Sequence, residues 1–343
     1  MKPPPPAEIR AEDELAAADV RVMLTAPSRT ALLDNLGITD QDASELLPLL
    51  DAAAADAEVL AEVTETANRL RAAAGLEVPE VDLAAEKDRH DGLQQRLAPG
   101  EGLVAILALL VSTSTVRAWH DARGLTREQS WEVLADLGQQ MRVHRAGTGR
   151  LGLHQLNWMS MNWAGRLVHL GRLQFDLHRQ SVALLAGTGS TPSADAPRRW
   201  VLGTHIPARG PLDPAAVDAS FDAATAYFAE HYTELGAGRG VEEPAFGHEF
   251  VCDSWLLSDQ LAEITGEGSN LARFAARWEM LERSRMDDGA LFFVFGRRPP
   301  VDLASLPRTS RLERGVAERL ERGVAERLED GRGWTGGLGR LLR

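Results

Sequence analysis

His205 closes a stretch in which Trp200, Leu202, Thr204 and Ile206 alternate with Val201, Gly203 and His205. That is strand spacing. An imidazole there, with an ordinary pKa of about 6.5, can take a proton from a substrate or serve as a hydrogen-bonded structural group, and both readings stand. Just beyond, Ala208-Arg209-Gly210-Pro211 turns the chain into Leu212-Asp213-Pro214. Asp213 suits an N-cap, and Pro214 loses nothing at the first helical position. Val217, Phe221, Ala224, Phe228 and Tyr232 then recur on one apolar stripe. A strand that feeds a helix N-terminus through such a turn aims backbone N–H groups and the positive end of a dipole at an anion, phosphate above all. The segment also reads as a plain strand-turn-helix crossover, because its glycines match no named phosphate fingerprint.

Other reactive side chains are sparse. In the apolar stretch His248 to Leu257, strand alternation puts Phe250, Cys252, Ser254 and Leu256 on one face and Asp253 and Trp255 on the other. Cys252 is the one cysteine, which excludes an internal disulfide and a thiolate metal cluster. With no His-Asp partner in view, it reads as packing rather than as a nucleophile. Arg89-His90-Asp91-Gly92 lacks the first His and the spacing of an HHxxxDG acyltransferase motif. His169 and His178 have no carboxylate at ligand spacing, so no metal is expected. Trp158, Met159, Met161 and Trp163 read as an interdomain contact rather than a cofactor box.

These groups must be carried by elements that the composition bounds. With 343 residues and 44% apolar content the chain can bury a large core, and two domains are expected. Residues 1–100 hold 20 acidic and 9 basic residues, net −11, leaving 30 and 28, net −2, for the remainder. No basic stripe exists to neutralise phosphates, so nucleic acid is not an expected partner. The longest apolar run, Leu103 to Val111, is far short of the roughly 20 residues that cross a bilayer, and the opening MKPPPP has no signal-peptide core. No membrane and a cytoplasmic location are the expectation.

Residues 1–7 read as unstructured, and 8–98 as all-helical, rich in Ala, Leu and Glu. A helix follows from Leu103 to His120, then one capped near Thr126 with Glu128 and Gln129 in its first turn, and a loop from Gly147 to Gly149. Leu153, Leu156, Met159, Trp163, Leu167 and Leu170 mark a helix through His169. At Gly171 the period changes to a strand with Leu173, Phe175 and Leu177. Asp259 to Ile264 reads as a short helix, with a helix-to-strand change near Arg277 and a hairpin from Met280 to Phe295 about Asp287-Asp288-Gly289. The octad LERGVAER, Leu312 to Arg319, repeats unchanged as Leu320 to Arg327. Its apolar residues, four apart, drift around a helix and predict a solvent-facing one, weakened at Gly315 and Gly323. The domains so read are 8–150, helical, and 151–343, mixed.

The combination GRLQF (Gly171 to Phe175), HIPARGPL (His205 to Leu212), Ser220, CDSWLL (Cys252 to Leu257), SNLARF (Ser269 to Phe274), VFG (Val294 to Gly296) and LPRTSRLERGV (Leu306 to Val316) resembles bacterial N-acyltransferases with a helical N-terminal domain and a GNAT-like C-terminal domain. The duplicated octad departs from that pattern. The resemblance implies an α+β protein in which a mixed, splayed sheet of about six strands, flanked by helices, follows the helical domain. It places GRGWTGGLGRLL inside the second domain. Acetyl-CoA or another acyl-CoA would lie, as co-substrate and without metal, in the opening between the strands Trp200–Pro207 and His248–Leu257. Ile206, Ala208, Arg209, Gly210, Leu212, Asp213 and Trp255 would then bind the coenzyme, although Pro211 has no N–H to give. A small-molecule amine or a peptide would attack the thioester directly. His205 is the first candidate for base or substrate contact. Family members often use a Tyr as acid, and only Tyr227 and Tyr232 exist here, both on the preceding helix. That role falls to Ser254, Asn270 or water, while Asn270 most simply caps the segment after it. A non-catalytic acyl-CoA sensor or a protein-interaction module on the same fold is the alternative.

Overall fold

The computed structural model describes residues 13–187, 196–207, 209–236, 245–325 and 333–342. The N-terminal residues 1–7, Ala208 and the end of the second octad lie outside them. The chain divides into two compact units, Met1–Val168 and His169–Arg343, so the boundary falls later than residue 150.

The first unit is helical: α1 (Ala17–Thr25), α2 (Arg29–Asn35), α3 (Asp40–Ala55), α4 (Ala57–Ala72), α5 (Lys87–Gln94), α6 (Leu103–Ala122), α7 (Arg127–Leu134), α8 (Asp136–Thr148) and α9 (Leu156–Trp163). Its axis is α6, apolar around its first half and packed by α1, α4, α5, α7 and α9. Among the described residues α6 is the one helix long and apolar enough to cross a membrane, and 78% of its apolar window is buried within the unit. Helix α7 begins with Thr126 and Gln129 in a reciprocal capping box, as the sequence requires. Met159 and Trp163 lie in this unit's own core, where Trp163 donates to the Leu109 carbonyl.

The second unit is a six-stranded mixed sheet in the order β1-β2-β3-β4-β6-β5. Its strands are β1 (Leu167–Leu170), β2 (Leu173–Ser181), β3 (Arg198–His205), β4 (Phe250–Ser254), β5 (Trp278–Arg285) and β6 (Thr335–Leu341). Its helices are α10 (Val182–Leu185), α11 (Pro214–His231), α12 (Gln260–Thr265), α13 (Asn270–Ala275), α14 (Asp287–Phe295) and α15 (Arg311–Ala325). The terminal segment is a full strand inserted between β4 and β5. One sheet face is covered by α11, whose Phe221 meets Phe175 and Phe250 edge-on at 5.8 and 5.0 Å. Aromatic burial of this kind fixes the register of helix on sheet.

Three element readings are corrected. The helical stripe through His169 stops at Trp163, and Leu167–Leu170 is a strand; the chain reverses at Gly165, with φ of 73°. The Asp287-Asp288-Gly289 hairpin is instead the start of α14, whose two first-turn carboxylates favour a helix N-terminus. Helix α15 is not solvent-facing, because Val316, Ala317 and Leu320 are buried, and a Cβ on Gly315 would stand 2.6 Å from Ile264. The stripe drifts as expected, but close approach to α12 lets the first octad bury more than a surface helix would.

Candidate active site

Strands β3 and β4 run parallel but pair only at Leu202–Phe250 and Gly203–Val251. The closed end is pinned by the Leu202 N–H on the Glu249 carbonyl and by Arg199 Nε on the Glu249 carboxylate at 2.7 Å. Beyond it the strands part: Thr204 and His205 continue on one side and Cys252 to Ser254 on the other, while β6 holds the far edge of β4 from Val251 to Ser254. The opening expected between these segments is therefore present. A cleft of about 410 Å³ lies there, on the sheet face opposite α11.

The deepest titratable group in the cleft is Asp176, on β2. Strand alternation puts Phe175 and Leu177 into the core and turns Asp176 and His178 the other way. His205 Nε2 meets Asp176 Oδ1 at 2.7 Å, and His178 Nδ1 meets Oδ2 at 2.9 Å. Burial alone would raise the Asp176 carboxyl, but the two imidazoles reverse this and hold it well below the ordinary carboxylate range. An ionised carboxylate only accepts, so both rings donate to it, and the neutral tautomer that this selects carries its lone pair on Nδ1 in His205 and on Nε2 in His178. About a third of each histidine side chain is exposed, against 5% of Asp176. This is an oriented base.

Gly203 makes the arrangement possible. It stands directly across from Asp176, and a Cβ there would lie 1.9 Å from Asp176 Oδ1 and 2.9 Å from His178 Cε1. A strand glycine marks such a close approach.

The opposite wall comes from β4, β6 and β5. Asp253 and Glu282 both stand in register with Leu338 of the strand between them. A bulge between Met280 and Glu282 sets two residues, Leu281 and Glu282, opposite Leu338, which brings Glu282 and Ser284 to the cleft. The Asp253 carboxyl is raised, first by burial and then by the like charge of Glu282, with His205 opposing. Asp176, Asp253 and Glu282 make the cleft acidic.

The connection after β3 departs from expectation. Asp213 caps α11, accepting from the Ala215 and Ala216 amides at 3.0 and 3.1 Å, and the Val217 N–H goes to the Asp213 carbonyl. Pro214 has no N–H. The first turn of α11 thus offers no amide to an anion, and the protein's own carboxylate sits where a diphosphate was placed. Arg172 instead organises the loop, donating to the carbonyls of Pro207, Gly210 and Pro211 at 3.2, 3.0 and 2.9 Å. Its pKa is lowered by burial and by the neighbouring Arg209 cation. Two guanidiniums lie at this loop. Among the described residues, none accepts from the N–H groups of Gly210 and Leu212.

The remaining expected residues divide. His205 lines the cleft. Ser254 ends β4, where its Oγ accepts from the Leu256 N–H at 3.1 Å. Asn270 is the first residue of α13, and the cap is Ser269, whose Oγ takes the Ala272 N–H. Neither Ser254 nor Asn270 lines the cleft. Trp255 is buried against Phe293 and Trp334, with its carbonyl held by Trp334 Nε1, which makes it core rather than a wall of the slot. Cys252 is buried and its thiol pushed up by burial, so it is no nucleophile. Ile206 and Leu212 flank the loop, half-buried and buried. Sequence reasoning missed Asp176, His178, Asp253, Glu282 and Arg172. The signal for the first two was a carboxylate and an imidazole at alternate positions of a strand with an otherwise buried start.

Two family models cover most of the chain: an N-acyltransferase N-terminal domain over residues 28–165 and a GNAT-like C-terminal domain over residues 167–341. The chain belongs to this N-acyltransferase family, and it is an acyltransferase. Its fold is similar to that of an acyltransferase solved in complex with decanoyl-CoA and teicoplanin, at 25% identity over 96% of this chain and 100% of that one, TM-score 0.66. It is also similar to an acyltransferase with decanoyl-CoA (24% identity, 95% and 99% covered, TM-score 0.69) and to a mutant acyltransferase with octanoyl-CoA (24%, 95% and 99%, 0.67). A comparison with curated protein sequences finds no match.

Proposed function

We propose that the protein transfers an acyl group from an acyl-CoA thioester to a primary amine by direct attack in the splayed cleft. The observation that carries this reading is the His205–Asp176–His178 arrangement at the parting of β3 and β4. An amine enters as its ammonium, drawn by Asp253 and Glu282. His205 Nδ1 takes a proton from it, and Asp176 holds the ring in that tautomer and stabilises the imidazolium. That proton is released to water; the amine nitrogen then bonds to the thioester carbon as the carbon–sulfur bond breaks, and His205 takes the second nitrogen proton and passes it to the departing thiolate, giving the amide and free thiol. No covalent enzyme intermediate is needed, in keeping with a buried, protonated Cys252.

The coenzyme's diphosphate fits the loop through Arg209, the Arg172 cation beneath it and the Gly210 and Leu212 amides, not through the first turn of α11. Neighbours solved with octanoyl- and decanoyl-CoA support medium acyl chains, and the one with teicoplanin supports an amine on a small molecule or glycopeptide. A sensor would bind the thioester too, but it has no use for an oriented imidazole pair.

The test is thermal stabilisation by CoA and by acetyl-, octanoyl- and decanoyl-CoA, followed by thiol release with glucosamine, putrescine and glycinamide. His205→Ala should keep the stabilisation and lose turnover by on the order of 10²- to 10⁴-fold. Stabilisation without turnover in the wild type establishes the sensor reading; no stabilisation by any thioester removes the acyl-CoA reading.

A further inference from the structure

Asp176, Asp253 and Glu282 line the cleft, and among the described residues that line it none is Lys or Arg. The imidazoles of His205 and His178 answer Asp176. Asp253 and Glu282 form no ion pair among the described residues, and the like charge of Glu282 bears on Asp253. The cations nearest in the chain, Arg283 and Arg285, alternate to the other side of β5 and pair with Asp259, at 2.9 Å, and with Asp287. A bulge sets Glu282 on the cleft side, where two like charges stand without a counterion until a cation arrives.

The reacting ammonium alone does not answer this pair. It must lose its proton before it can attack, each carboxylate beside it opposes that loss, and once acylated it is a neutral amide. A second ammonium, unchanged by the reaction, offsets Asp253 and Glu282 throughout. As a like charge it also lowers the pKa of the first. Val251 and Leu338 supply an apolar floor between the two places, and Leu338 is the residue that Asp253 and Glu282 flank in register. Its strand, β6, is two removed from that of His205, which is roughly 10 Å.

We propose that the acceptor is a diamine or polyamine, acylated on the nitrogen at His205 and anchored by a second ammonium on Asp253 and Glu282, with a spacer of several methylenes over Val251 and Leu338. This rests on the acyl-CoA reading above. Asp253 and Glu282 then determine specificity by selecting an acceptor that is cationic at its far end.

The experiment measures kcat/KM with octanoyl-CoA, at one pH and ionic strength, for cadaverine, n-pentylamine and 5-aminopentanoate. These share one chain length and carry at the far end a cation, no charge and an anion. In the wild type cadaverine should exceed n-pentylamine by about tenfold or more, beyond the doubling that its two equivalent ends supply, and 5-aminopentanoate should be slowest. Glu282→Gln and Asp253→Asn should each bring the ratio of cadaverine to n-pentylamine down towards that doubling. A wild-type ratio within about twofold overturns the proposal. So does a large ratio that survives in both variants, which would place the second charge elsewhere. Should no amine turn over, calorimetric titration of cadaverine and n-pentylamine into the CoA complex gives the ratio as Kd values and decides by the same limits. A wild type that does not bind octanoyl-CoA instead refutes the acyl-CoA reading, and this proposal with it.

Discussion

Asp176→Asn changes one atom in the deepest part of the cleft, and its consequences follow from two distances. The carboxylate accepts from His205 at 2.7 Å and from His178 at 2.9 Å. Each bond to a charged acceptor contributes about 1.5–3 kcal/mol, and a neutral one about 0.5–1.5 kcal/mol. Asparagine keeps the volume but removes the charge from both, a loss of roughly 2–3 kcal/mol at neutral pH. For a unit of this size that corresponds to a melting temperature lower by roughly 5–10 °C. Asparagine can accept on one side only. Its amide nitrogen must donate on the other, which turns one ring around so that its N–H faces the cleft and its lone pair faces residue 176. If that ring is His205, the base is gone, and turnover falls by on the order of 10²- to 10⁴-fold. Stability also acquires a pH signature. A carboxyl held below its unfolded value binds its proton more weakly when folded, so its contribution is complete above about pH 4–5 and fades as pH drops towards the depressed folded value. Chemical denaturation of both proteins from pH 7 to pH 3 should therefore show two curves that converge on the acid side. A gap that stays constant across that range, or a variant that keeps wild-type turnover, would mean that the carboxylate does not orient the imidazoles.

Three further outcomes follow from the same geometry. Glu282→Gln removes the like charge that raises the Asp253 carboxyl; the acid limb of the pH–rate profile should move to lower pH, and KM for the amine should rise several-fold while octanoyl-CoA affinity is unchanged. Arg172→Met leaves the carbonyls of Pro207, Gly210 and Pro211 without their common donor, and calorimetry should show octanoyl-CoA affinity weakened about tenfold or more. Gly203→Ala forces the Asp176 carboxylate off its two partners, and should lower stability by about 3–5 kcal/mol in urea unfolding, more than Asp176→Asn does, because a buried charge is left unpaired.

Much of this protein is legible in the chain itself. Strand and helix periods place β2, β3 and β4, the capped starts of α7 and α11, and the change of period between Phe274 and Trp278. Those are local choices, set by alternation and by end groups that satisfy orphan amides within a few residues. The same locality misleads where a distant neighbour decides. Leu167 to Leu170 continue a helical stripe yet become a strand because β2 is there to pair with them, and Asp287-Asp288-Gly289 opens a helix because β6, from far along the chain, already fills the place of a returning hairpin strand.

What the sequence settled alone was the type of element and the residues able to take up a proton or meet a phosphate, His205 and the loop after it among them. Tertiary structure decided which of them meet. Asp176 is a partner of His205 only because an antiparallel neighbour lacks a side chain at Gly203, and Glu282 faces Asp253 only because a bulge shifts one edge strand. The anion-ready helix start is closed by Asp213, a contact as local as the cap that predicted it. Hydrogen bonds within a few residues are written in sequence spacing, whereas charges brought together across a sheet depend on register, and register is set by the packing of the whole face.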